Sequence, residues 1–106
     1  RKESDMALKA AFIFVAPQAD PKVHRQWVKT PEVELLAVAV SDYSSAEKAV
    51  KDMIEQDGIQ AIELCGGFGH QGVAAVKAAA AGRAEVGVVR FERHPGLGHK
   101  SGDDLF

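Results

Sequence analysis

The chain has 106 residues, of which 46% are hydrophobic and 26% charged, the composition of one ordinary globular domain and too little chain for two. Thirteen Lys and Arg against fifteen Asp and Glu give a net charge of −2, a balance that offers neither nucleic acid nor a membrane a basic surface. A single cysteine excludes an intrachain disulfide framework and suits a reducing compartment.

Residues 1–5 precede Met6 and are set aside as an appended or frayed end, which leaves one expected domain over 6–106. The start does not resemble a signal peptide, and the longest wholly apolar run, Ala10 to Pro17, falls far short of the roughly 20 residues of a spanning helix. The expected location is the cytoplasm.

Leu8 to Ala16 reads as a strand buried on both faces, closed by Pro17. Asp20-Pro21 has the form of a helix start, and Val23 and Trp27 supply a short apolar stripe before Thr30-Pro31. Val33 to Val40 is a second buried strand. Ser44 and Glu47 form an S-x-x-E capping box for a helix that presents Ala46, Ala49, Val50, Met53 and Ile54 on one face and stops at Asp57-Gly58. Ile59 to Cys65 is a third strand, followed by a glycine-rich turn and a helix over about 71–81 that ends at Gly82. Val86 to Glu92 is a fourth strand, with the mixed polarity of an edge. The tail from 93 to 106 has no usable periodicity.

The order β-α-β-α-β-α-β predicts an α/β domain, a small three-layer sandwich around a four-stranded parallel sheet. A strand order of 2-1-3-4 would make it half of a doubly wound, flavodoxin- or Rossmann-like sheet. Ligands of such sheets bind beyond the carboxyl ends of the strands, and the turn after the third strand is the richest of those positions. In Gly66-Gly67-Phe68-Gly69 the three glycines permit positive φ and close approach, and the turn leads into a helix N-terminus that favours an anion. Gly67 to Gly72 also reads as G-x-G-x-x-G, with Glu92 twenty residues on. The motif sits in the last βαβ unit and lacks a second half-sheet, so a smaller phosphate- or carboxylate-bearing ligand fits better than a dinucleotide. The plainer alternative is a tight strand-to-helix turn and nothing more.

Cys65 ends a strand just before a helix, as a nucleophile does in an elbow, and His70 is a candidate base. Glu63 stands where an elbow needs a small residue, so a buried structural thiol is the competing reading. Glu63 and Arg90 lie in strands expected to be neighbours. If their faces coincide, Glu63, Arg90 and His94 wall the glycine turn, either as a ligand-orienting group or as a structural ion pair. His94, His99, Asp103 and Asp104 follow no established zinc spacing, so no metal site is assigned and no cofactor is identified. The helix over 71–81 carries Lys77 as its only charge among alanines and valines, which points to burial against a second copy and a homo-oligomer.

The blocks Glu63-Leu64-Cys65-Gly66-Gly67-Phe68-Gly69, Val88-Val89-Arg90-Phe91 and His94-Pro95-Gly96-Leu97 resemble a family of short α/β proteins of unknown function, from about Met6 to the C-terminus. The resemblance implies a small single-domain protein and carries no activity, cofactor or catalytic residue. The sequence therefore predicts a binder of a small anionic ligand at Gly66 to Gly72. A small enzyme using Cys65 or His70 in the same cleft is one alternative, and an oligomeric structural or interaction protein without a ligand is another.

Overall fold

A computed structural model describes residues 7–91 and 93–106. The terminal segment 1–5 and Glu92, on which two of the sequence expectations fall, lie outside the described residues. The elements run β1 (Leu8–Val15), β2 (Arg25–Lys29), β3 (Val33–Val40), α1 (Tyr43–Asp57), β4 (Ala61–Leu64), α2 (His70–Ala80) and β5 (Glu85–Val88), followed by short 3-10 turns at Pro95–Leu97 and Gly102–Asp104. The five strands form one sheet in the order β2-β3-β1-β4-β5. β3, β1, β4 and β5 are parallel, in the relative order expected of the four sequence-predicted strands, and β2 is antiparallel to β3.

The helix expected over 20–30 is instead a turn and a strand. Asp20 does cap, but it caps a turn: its Oδ1 accepts the Lys22 N–H at 2.9 Å and its own N–H donates to His24 Nδ1 at 2.9 Å. The next residues pair with β3, with Trp27 opposite Leu36 and Val28 opposite Leu35. Thr30 closes the hairpin by donating its hydroxyl to the Val33 carbonyl and accepting the Val33 N–H. Two apolar residues are too few to bury a helix face, whereas an aromatic and a β-branched residue in a five-residue run suit an edge strand.

That substitution removes a layer. Right-handed crossovers from β3 to β4 and from β4 to β5 travel the same way across the sheet, so α1 and α2 lie on the same face. The β1-to-β3 connection travels the other way, and a helix there would have covered the opposite face. The protein is a two-layer α/β structure with a mixed sheet, not the three-layer sandwich with an all-parallel sheet that the alternation predicts.

The core lies between sheet and helices. Alternate strand residues Ala11, Ile13, Leu36, Val38, Val40, Ile62 and Leu64 meet Ala46, Ala49, Val50 and Met53 of α1 and Val76, Ala79 and Ala80 of α2. Asp42, not Ser44, is the N-cap of α1, its carboxylate accepting the Ser45 N–H at 2.8 Å. Gly58 ends that helix at φ 70°, where a side chain would be strained. On α2 the small residues have an intrachain use, since Gly72, Val76, Ala79 and Ala80 are buried and Ala74, Lys77 and Ala78 face outward. Leu36 is fully buried at the centre of the sheet. Leu36→Ala is expected to lower stability by about 2–5 kcal/mol, read as a reduced denaturant midpoint at unchanged m-value.

Candidate functional site

In this strand order the connections leaving β1 and β4 diverge, which opens a crevice between the carboxyl ends of these two neighbours. Val15, Ala16 and Pro17 come from the β1 side and Cys65 and Gly67 from the β4 side. Cys65 continues the ladder, its N–H donating to the Ile13 carbonyl at 2.9 Å, and its Sγ accepts the Gly67 N–H at 3.3 Å. The tail supplies the outer wall with His94, Leu97, Leu105 and Phe106, enclosing a mainly apolar cleft of about 590 Å³.

The tail is held there by the glycine turn. A Cβ on Gly66 would overlap the Phe91 ring, one on Gly69 the Asp103 carboxylate, and one on Gly102 the Gly67 carbonyl. Gly72 is similarly pressed by the Tyr43 ring. None of Gly66, Gly67, Gly69 and Gly72 adopts positive φ. Gly66, Gly69 and Gly72 are required for close approach, and what approaches is the chain itself. Phe68 is fully buried and stacks on Tyr43, with ring centroids 5.6 Å apart, so it anchors the turn in the core.

Asp103 occupies the place at the α2 N-terminus that the sequence assigns to a ligand anion. Its Oδ1 accepts the Gln71 N–H at 3.0 Å and the Tyr43 hydroxyl at 3.1 Å, and the Tyr43 oxygen in turn accepts the Gly69 N–H at 2.9 Å. The carboxylate thus meets free helix amides and the positive end of the helix dipole. A capping box steadies its 3-10 turn: Ser101 Oγ accepts the Asp103 N–H and Asp104 accepts the Ser101 N–H. Phe106 packs on Tyr43 from the same segment, at 5.9 Å.

A second loop shapes the cleft wall. The His94 N–H donates to the Lys100 carbonyl, and His94 Nδ1 accepts the Gly96 N–H at 2.9 Å. That bond leaves Nε2 as the nitrogen that carries the proton of a neutral ring. The Phe91 ring lies 4.7 Å from the imidazole.

The sequence-predicted residues divide accordingly. Cys65, Gly67 and His94 line one cleft, while Gly66, Phe68, Gly69 and Gly72 support the tail and Tyr43. Glu63 does not join Arg90. The register pairs Glu63 with Phe12 and Gly87 on the sheet face away from the helices, and Arg90 lies past β5, close enough to Tyr43 to influence its proton. No ion pair among the described residues links the two. His70 is the exposed first residue of α2 and lies outside the cleft lining. Sequence reasoning missed Tyr43 and the anchoring role of Asp103. Tyr43 follows the second strand, as a site residue should, but nothing local links it to a residue 60 positions away.

A family model matches residues 8–104. The chain belongs to DUF6506, a family of unknown function. No curated protein and no solved structure matches it. The stretch matched to DUF6506 includes both α2 and the tail through Asp104. Among the described residues no group of three or more His, Cys, Asp and Glu is placed to hold a metal ion, and no helix is long and apolar enough to cross a membrane.

Burial pushes the Tyr43 phenol above its ordinary pKa of 10.0, and Asp103 adds to the rise, while the Gly69 N–H and Arg90 oppose it. Tyr43 is the only tyrosine, so phenolate absorbance titrates it alone, with an expected midpoint above 10. The folded chain then holds this proton after the unfolded chain has lost it. The associated stability is complete below the unfolded value and is lost as pH rises through the folded one. Tyr43→Phe should remove that part of the alkaline loss. Asp103→Ala strips the acceptor from two donors and is expected to cost about 1–3 kcal/mol, with early proteolytic cleavage of residues 93–106 as its signature.

Proposed function

We propose that this chain is a small-molecule binder whose site is the cleft between the ends of β1 and β4, roofed by its own C-terminal tail. The observation that carries this reading is the coincidence of a mainly apolar hollow of about 590 Å³ at the carboxyl edge with the point where the connections diverge, the usual ligand position in parallel sheets. The anion expected at the glycine turn is supplied by Asp103, which moves the expected ligand one step away from the helix N-terminus. The lining favours a molecule with an apolar body and one polar group reaching Cys65 or His94. A smaller hollow of about 220 Å³ between the 20–25 turn and α1 carries charges of both signs, among them Asp20, Lys22, Lys48 and Asp52, and has no comparable topological reason to bind a ligand.

The test is native mass spectrometry of protein purified without additives, followed by thermal-shift screening. A co-purifying small mass or a stabilising compound is expected, and Leu97→Trp, which fills the cleft, should abolish both while leaving the far-UV spectrum unchanged. Binding that survives Leu97→Trp would reject this site.

A catalytic reading rests on one further fact: the half-buried Cys65 thiol shares the cleft with His94. His94 replaces His70 as the base in that reading. Rapid alkylation of Cys65 by iodoacetamide near neutral pH, slowed in His94→Ala, is its expected sign. A thiol that stays inert in folded protein removes it.

A further inference from the structure

The sheet face away from α1 and α2 carries no helix among the described residues, and residues of the 16–24 segment lie beside Phe14, Ala37 and Ala39 at its carboxyl end. Alternation from the paired registers assigns it Leu8, Phe12 and Phe14 of β1, Val33 and Leu35 of β3 and Val28 of β2. Several are exposed to a degree unusual for a sheet interior: Val28 58%, Leu8 44%, Phe14 39% and Val33 39%. The strand positions of β2, β3 and β1 on this face include one polar side chain, Gln26. Its charges sit at the other edge, where Glu63 and Glu85 follow from the β4–β5 register.

We infer that this face is the interface of a homodimer, sheet packed on sheet. Five strands of up to eight residues project on the order of 500 Å², and side-chain relief carries the accessible area toward the roughly 800 Å² that each partner buries in a standard stable interface. The surface has that relief, because hollows of about 380 and 260 Å³ flank Phe14. A second copy brings a sheet with the same twist and an equally uncharged centre, the complement that aligned sheet packing requires. An anionic membrane is a poor occupant, since the charges on the face are carboxylates.

Charge also selects the symmetry axis. A two-fold perpendicular to the strands would lay the Glu63 and Glu85 edge of one copy over the same edge of its partner. A two-fold along the strands lays that acidic edge over Gln26 and Val28 of the partner's β2 and avoids the repulsion. The dimer has this second arrangement. Ala78, on the outer side of α2, takes no part in it.

The experiment is light scattering over a dilution series. The expected wild-type mass is twice that of one chain, falling to one chain in Val28→Asp. Val28 is exposed, so the isolated chain tolerates the charge, and Gln26→Glu, which adds a carboxylate opposite the partner's Glu63 and Glu85 edge, serves if Val28→Asp loses its far-UV spectrum. Ala78→Glu should remain dimeric. A wild-type monomer at every concentration overturns the proposal, whether or not that monomer floats with phosphatidylserine vesicles. A dimer that persists in both sheet variants, or that only Ala78→Glu dissociates, overturns it as well.

Discussion

A helix that joins two parallel strands crosses a face of their sheet, and the handedness of that crossing decides which face receives it. In this chain two crossings run in one direction and carry α1 and α2 to one side. The third runs the other way and carries no helix, only the turn at Asp20 and the short strand β2. The layer count, the position of the core and the bare face all follow from that one connection. So does the cleft, because strands whose connections diverge leave their carboxyl ends open between them.

The second organising contact is electrostatic. A helix N-terminus presents unsatisfied amides and partial positive charge, and it is stabilised by whichever anion reaches it first. Here the anion is Asp103, held at fixed distance by the capping box of its own short turn and by the Tyr43 hydroxyl. A tethered carboxylate has a high effective concentration at its site, so a free anion must displace it as well as bind. The glycines that look like a ligand cradle are the relief into which the tail fits. None of them adopts positive φ, so what they provide in the folded chain is room for close approach.

Much of the architecture was legible because it is written locally. β1 and β3 are continuous apolar runs that only a buried strand explains, and the Asp57-Gly58 stop of α1 is a property of adjacent residues. The segment 20–30 was not legible, because Asp-Pro followed by two spaced apolar residues satisfies a helix start and a turn before a strand equally well. Its pairing with β3 decides the matter, and pairing is a tertiary fact. The site divides in the same way. Cys65, Gly67 and His94, chosen by the rule that parallel sheets bind at their carboxyl edge, do line one cleft. The grouping of Glu63 with Arg90 failed because it assumed a shared face, and the register sets Glu63 opposite the helix side. Asp103 was visible only as a metal-ligand type, because its partners Gln71 and Tyr43 stand 32 and 60 residues away.

The tail connects stability to the cleft. His94, Leu97, Leu105 and Phe106 wall the hollow, and the segment that carries them is fixed by the Asp103 carboxylate and by the contact of Phe106 with Tyr43, whose ring also stacks on Phe68. The Asp103 contact is one of the supports of that wall, so a ligand that binds only the closed hollow stabilises the docked tail. The open sheet face has no such dependence, since it is built from strand residues paired across the ladder and shares none of its apolar side chains with the tail. A chain of this size thus separates its two unsatisfied surfaces. One is a cleft whose wall can loosen, and the other is a rigid face fixed by the backbone hydrogen bonds of β2, β3 and β1.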